Sequence, residues 1–166
     1  MIDLAKHEEM RLERNLLTVA ALNDLVQGCL GVVPVLCVVG RARSGKSWAA
    51  EDWFALRQDD KEHAAFLDCR GSIFGKPATL EFGGVKDELR IGHYPKFALD
   101  GIDVVIVDDA PSNPKLVNEL VEKTDPDAGT AAHRLIILLL QRLDELQLFD
   151  FGQKQFMTYS TAGIPI

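Results

Sequence analysis

Val35-Leu36-Cys37-Val38-Val39-Gly40-Arg41-Ala42-Arg43-Ser44-Gly45-Lys46-Ser47 is the stretch that decides the fold. Its first five residues form a short, continuous apolar run rich in β-branched side chains. That is the pattern of a strand buried on both faces of a sheet. The run passes straight into Gly40. After Ser47, Trp48-Ala49-Ala50-Glu51-Asp52-Trp53-Phe54-Ala55-Leu56 reads as a helix. Strand, glycine-bounded loop and helix thus follow one another without a spacer.

Working downstream, Ala64-Ala65-Phe66-Leu67-Asp68 predicts a second strand. The segment 71–97 carries Thr79-Leu80-Glu81-Phe82 and Glu88-Leu89-Arg90-Ile91 on either side of Gly83-Gly84, which fits a β-hairpin. Ile102-Asp103-Val104-Val105-Ile106-Val107-Asp108-Asp109 is the clearest strand after the first. A helix is expected over 111–123, ended by Asp125-Pro126-Asp127. Residues 131–148 are open between helix and strand: their length favours a helix, but 135–140 alone fits a strand. Residues 155–160 alternate and suit a final strand. Upstream, Leu4, Met10, Leu12, Leu16, Val19, Leu22, Leu25 and Val26 recur at helical spacing, predicting one long amphipathic helix over 3–27. Packing on the core and contact with a neighbouring subunit are both open roles for it. The expected organisation is an N-terminal helix and linker over 1–31 and a nucleotide-binding domain over 32–166.

The chain has 166 residues, enough for one domain with a single substantial core. A formal net charge of -7 opposes indiscriminate nucleic-acid binding, which relies on neutralising phosphates, but permits a local basic groove. Cys29, Cys37 and Cys69 are odd in number and lack CxxC spacing, so buried free thiols are expected rather than disulfides or zinc. The charged, periodic N-terminus is unlike a signal peptide, and the apolar run 135–140 is far too short to span a bilayer. A soluble, cytoplasmic protein with no membrane partner is expected. His7, His63, His93 and His133 are dispersed and show no ligand spacing.

Gly40, Gly45, Lys46 and Ser47 meet the pattern GxxxxGK[ST]. Each residue type has a mechanical reason. The glycines let backbone N–H groups turn inward around an anion without a Cβ in the way. The helix that follows directs its free N-terminal amides and positive dipole end at the same anion. Lys46 reaches the β- and γ-phosphates of a nucleoside triphosphate, and Ser47 offers its hydroxyl oxygen to Mg²⁺. The expected nucleotide contacts are Gly40, Arg41, Ala42, Arg43, Ser44, Gly45, Lys46, Ser47 and Trp48. Arg41 and Arg43 are unusual loop occupants, and solvent is their expected environment.

A hydrophobic strand ending in Asp108 and Asp109 is the second chemical feature. Asp108 is expected to hold Mg²⁺ through its water shell, together with Ser47, since magnesium takes few protein carboxylates. Asp109, with Lys46, is the expected catalytic residue: it would orient or deprotonate the water that attacks the γ-phosphate.

The loop 40–47, the Asp108-Asp109 strand end and a later polar strand end together resemble the P-loop NTPases that carry an additional central strand and a catalytic acid. Within them the pairing resembles small AAA+ ATPases and superfamily 3 helicases of mobile elements. The resemblance implies an α/β, three-layer P-loop NTPase fold: a mostly parallel sheet of about five strands with helices on both faces. It also implies ATP and Mg²⁺ as ligands, a homo-oligomer, and a nucleic-acid or protein partner. A sensor residue is expected at the end of the strand after the acidic one; Thr158, Ser160 and Thr161 are candidates, or Gln141 if 135–140 is a strand. Arg134 and Arg142 are candidate arginine fingers.

Three functions stay open. The first is an ATPase that couples hydrolysis to assembly on a partner. The others are a small-molecule or nucleotide kinase, with 71–97 receiving the acceptor, and a nucleotide-binding regulator without turnover. The absence of an Asn-Lys-x-Asp segment tilts the base from guanine to adenine. Lys76, Lys86, Arg90, His93, Tyr94 and Lys96 make 71–97 the most basic and aromatic segment, the place to look for a substrate or nucleic-acid contact.

Overall fold

The computed structural model describes residues 3–13, 16–42, 44–59, 64–90, 102–122 and 134–161. Arg43, His63, His93, Tyr94, Lys96, His133, the 125–127 turn and the Ile91 end of the expected hairpin lie outside the described residues.

In chain order the elements are α1 (Leu4–Glu13), α2 (Val19–Cys29), β1 (Val35–Val39), α3 (Lys46–Asp59), β2 (Ala64–Asp68), β3 (Ala78–Phe82), β4 (Val85–Leu89), β5 (Val104–Asp108), α4 (Pro114–Glu122), β6 (Leu135–Leu140) and β7 (Phe156–Ser160). Short 3-10 turns follow β2 (Arg70–Phe74), β5 (Ala110–Ser112) and β6 (Leu143–Leu148).

The strands form one seven-stranded sheet in the order β4-β3-β2-β5-β6-β1-β7. It is a mixed sheet. β2, β5, β6, β1 and β7 run parallel, whereas β3 is antiparallel to β2 and β4 antiparallel to β3. The expected mostly parallel, five-stranded, three-layer sheet is therefore corrected in strand number, direction and helical cover. The cause is the two-residue Gly83-Gly84 turn, which pairs Phe82 with Val85 and folds the chain back as a hairpin. That hairpin adds to the free edge of β2. β4, the outermost strand, is exposed over 85–88, the polar edge that discourages further strand pairing. The helical cover is thin, with α2 and α3 against one face and α4 against the other.

Side-chain alternation assigns the two faces. Val35, Cys37 and Val39 of β1 join a cluster with Leu116, Val117, Leu120 and Val121 of α4. Leu36 and Val38 join Leu22 and Val26 of α2 and Ala49, Ala50, Trp53 and Phe54 of α3. Every residue of β1, β5 and β6 is buried, as expected of central strands covered on both sides. Residues 135–140, ambiguous in sequence, form β6. A run apolar at every position satisfies a strand sandwiched between two cores as well as a buried helix, and pairing with β1 and β5 decides it.

The single N-terminal helix is also corrected. α1 ends at Glu13, and Thr18, in an extended conformation, caps α2 by accepting a hydrogen bond from the Ala21 N–H at 3.0 Å. Glu8 on α1 accepts from the Val19 N–H at 2.8 Å, so the first helix supplies an acid to the N-terminus of the second. α2 packs on α3, where Trp53 Nε1 donates to Asn23 Oδ1 at 3.1 Å. The three cysteines are free and buried. Among the described residues, no helix is long and apolar enough to cross a membrane.

Candidate nucleotide site

The parallel strands all point their C-terminal ends the same way, and the loop 40–47 leaves β1 at that end. Gly40 is pinned at once on both sides: its N–H donates to the Leu140 carbonyl at 2.9 Å, and the Thr161 N–H donates to the Val39 carbonyl at 2.9 Å. The space at Gly40 is closed to a side chain, since an added Cβ would stand 2.4 Å from Ser44 Oγ and 2.7 Å from Thr161 Oγ1. Both hydroxyl oxygens are buried without a hydrogen-bond partner among the described residues. Gly45 has φ +84, the left-handed conformation that lets the loop turn into α3. A concavity of about 220 Å³ opens here, lined by Ser44, Gly45, Lys46, Ser47 and Trp48. Arg41, Ala42 and Trp48 are exposed around it.

Lys46 and Ser47 occupy the first turn of α3. Lys46 is buried, and its Nζ donates to the Arg41 carbonyl at 3.4 Å across the loop. Burial pushes its pKa down, while Asp108, Glu145 and Asp109 pull it up. Its one hydrogen bond is long, to a neutral carbonyl that a charged acceptor could replace.

Ser47 Oγ donates to Asp108 Oδ1 at 3.0 Å. The two expected metal residues, 61 positions apart, therefore meet. Asp108 is 4% exposed, and its second oxygen, Oδ2, is buried without a hydrogen-bond partner among the described residues. Burial raises its pKa first; the Ser47 hydrogen bond and the Arg70 charge lower it, and Asp68 and Asp109 raise it further. A buried carboxylate with an unsatisfied oxygen is short of positive charge. Ser47 and Asp108 together fit a magnesium ion that keeps most of its waters. Among the described residues, no group of three or more His, Cys, Asp or Glu side chains could hold a metal by itself.

Asp109 follows β5 with φ 55 and ψ 44, the only positive-φ non-glycine among the described residues. Aspartate tolerates this region better than most side chains, at a modest cost. The turn redirects Asp109 out of the sheet, and Ser112 Oγ donates to its Oδ2 at 2.6 Å.

Of the sensor candidates, Gln141 lies beside Asp108's end of the sheet. β6 lies between β1 and β5, and Gln141 follows its last residue at the same end as Asp108. Thr158 and Ser160 lie in β7, on the far side of β1, and Thr161 packs under Gly40. The two arginine candidates separate likewise. Arg134 precedes β6 at the opposite end of the sheet, where its Nε donates to the Ile102 carbonyl at 2.9 Å. Arg142 is at the site end, exposed, and paired with Asp144 at 3.2 Å.

Sequence reasoning missed four participants. Asp68 ends β2 and pairs in register with Asp108. Arg70 lies two residues further on, with Nε 3.9 Å from Asp108 Oδ2. Glu51, one turn beyond Ser47 in α3, has its pKa raised by burial and by Asp108. Glu145 accepts from the Gln141 and Arg142 N–H groups, each at 2.7 Å, and adds negative charge beside Lys46. The available signal was that 64–68 and 104–108 are both apolar strands ending in aspartate. Parallel neighbours of that kind must bring the two acids together.

A groove of about 440 Å³ adjoins Asp68 and Arg70, lined also by Glu51, Phe54, Phe66, Thr79, Glu81 and Lys86. It is the described part of 71–97 that reaches the site. Lys86 pairs with Glu81 at 3.6 Å and Arg90 with Glu88 at 3.1 Å, so the basic character of that hairpin is largely compensated. No protein-family model matches this sequence, and comparison with curated proteins gives no match.

Proposed function

We propose that this chain binds Mg·ATP through the loop 40–47 and Asp108 and hydrolyses it, coupling nucleotide state to assembly on a nucleic-acid or protein partner as a homo-oligomer. The observation that carries the reading is the 3.0 Å hydrogen bond from Ser47 Oγ to Asp108 Oδ1. It joins the start of α3 to the end of β5, as a shared magnesium site requires. Two further features support it. β6 stands between β1 and β5, as the additional central strand of the resembled NTPases would. Gly40 also leaves no room for a Cβ where the loop must close.

In this reading the backbone N–H groups of the loop and of the first turn of α3 cradle the phosphates. Lys46 exchanges the Arg41 carbonyl for phosphate oxygen. Ser47 and Asp108 would hold the magnesium ion, which would supply positive charge to the phosphates. Asp109, placed by its left-handed turn and by Ser112, accepts a hydrogen bond from the attacking water and then its proton. Gln141 stands at the end of the intervening strand, where a side-chain amide reports the terminal phosphate.

Inorganic phosphate release from Mg·ATP, with and without single-stranded and duplex DNA, tests this. Turnover that is lost in Lys46→Ala and Asp109→Asn is the expected result; wild-type protein that releases no phosphate under any condition would refute hydrolysis. A kinase is the second reading, favoured by the groove beside Asp68 and Arg70, which could receive an acceptor. ADP formed without free phosphate would select it.

A further inference from the structure

We propose that Arg70 is a positioning residue for Asp108: clamped by Asp68, its charge attracts the buried oxygen Oδ2 and so biases Oδ1 towards Ser47 and the metal position. The inference rests on the Mg·nucleotide reading above and adds to it a residue that neither loop 40–47 nor the Asp108-Asp109 strand end contains.

The geometry begins in the sheet. β2 and β5 are parallel and Asp68 is in register with Asp108, so the chain leaving β2 crosses beside the Asp108 carboxylate. The Cys69 N–H donates to the Asp108 carbonyl at 3.0 Å, fixing that crossing to the backbone of the acid itself. Arg70 then opens a 3-10 turn. Asp68 grips it in four places: Oδ1 accepts from the Arg70 backbone N–H at 2.9 Å and from Nε at 3.0 Å, and Oδ2 accepts from Nε at 3.2 Å and Nη2 at 2.8 Å. A planar guanidinium gripped edge-on has little freedom left. Its Nε lies 3.9 Å from Asp108 Oδ2, the buried oxygen that lacks a hydrogen-bond partner among the described residues.

Asp108 is thus divided. Oδ1 takes the Ser47 hydroxyl and Oδ2 faces Arg70. Arg70 and Asp68 are too exposed, at 62% and 27% of their side chains, for the pair to add much to stability. What the clamp does is fix a direction. Without it, the Ser47 hydrogen bond alone sets the rotation of the Asp108 carboxylate, and the oxygen offered to a metal is less strongly defined. Partners of this kind, one step removed from the ion, change metal affinity by about 10- to 100-fold when removed.

A lysine keeps the charge but loses the fork, which separates aiming from simple neutralisation. Calorimetry of ATP binding across a magnesium series, ending in EDTA, gives the magnesium concentration that half-restores tight binding. Arg70→Ala and Arg70→Lys should both raise that concentration about tenfold or more. Their ATP affinity in EDTA should stay within about twofold of wild type, because Arg70 acts on the metal-binding acid rather than on the phosphate loop. An unchanged requirement in both variants overturns the proposal, and so does a lowered requirement in Arg70→Ala with a wild-type response in Arg70→Lys, the mark of mere charge repulsion. Ser47→Ala and Asp108→Asn are the controls: if they raise the requirement while the Arg70 variants do not, this inference fails and the site reading stands. If magnesium does not alter wild-type ATP affinity, both fall together.

Discussion

Arg11 Nη2 donates to Asp52 Oδ2 at 2.5 Å, a buried ion pair that ties α1 to the second turn of the helix beginning at the phosphate loop. Arg11 also donates through Nη1 to Glu8 Oε1 at 3.0 Å, and Glu8 in turn accepts from the first N–H of α2. Between the two helices, the Leu17 N–H donates to the Ser44 carbonyl at 3.1 Å, directly on the loop. The N-terminal region is therefore connected to the candidate site and is not a separate appendage.

Removing one partner of that pair strands the other in a buried place. Asp52→Ala is expected to destabilise the fold by about 3 kcal/mol, the low end of the range for broken buried pairs, because Glu8 still compensates Arg11. Denaturant midpoints measure this. Replacing both residues by apolar ones, Arg11→Met with Asp52→Leu, should cost much less than the single change.

Gly40→Ala inserts a methyl group against Ser44 Oγ and Thr161 Oγ1. Overpacking of this kind costs about 1–3 kcal/mol in thermal or denaturant stability. The larger effect is expected in nucleotide binding, because the side chain that must give way belongs to the loop. Adding Ser44→Ala should recover part of the stability, since the nearest obstacle is the Ser44 hydroxyl.

Burying the Asp108 carboxylate costs stability. Its folded pKa is raised above the ordinary value of 3.8, chiefly by burial, so the folded state binds a proton more tightly than the unfolded state. Stability contributed by Asp108 consequently falls as pH rises from 3.8 to its folded pKa, and above that the cost is fully present. Asp108→Asn should therefore raise Tm relative to wild type at neutral pH, the gain shrinking as pH falls towards 3.8. A variant at once more stable and unable to use magnesium is the expected outcome; equal or lower Tm at neutral pH would contradict it.

Cys37 and Cys69 each have their thiol pKa pushed up to about 12, burial being the main cause. Neither should react with thiol reagents at pH 8 in the folded protein, because the thiolate is the reactive form. Labelling should appear only with denaturant, and its onset should track unfolding.

The parts of this structure legible in the sequence are those set by local pattern. Residues 35–39 and 104–107 announce strands because each is a continuous apolar run rich in β-branched side chains, and Gly83-Gly84 announces a hairpin. The break between α1 and α2 was not legible: Thr18 lacks a glutamate three residues later, and the acid that serves the helix start is Glu8, from another helix. The mixed character of the sheet was missed because a hairpin's sequence does not say which edge it joins. Lys46, Ser47 and Asp108 were identifiable by type and spacing, but Asp68, Arg70 and Glu145 become neighbours of the site only through parallel register and the turn after β6.

The most direct test of the account is equilibrium binding of ATP in the presence of magnesium to wild type and to Lys46→Ala. Saturable binding of one ATP per chain, lost in Lys46→Ala although that variant unfolds as cooperatively as wild type, is the predicted result. Absence of saturable binding to wild type, or equal binding by the two proteins, would contradict it.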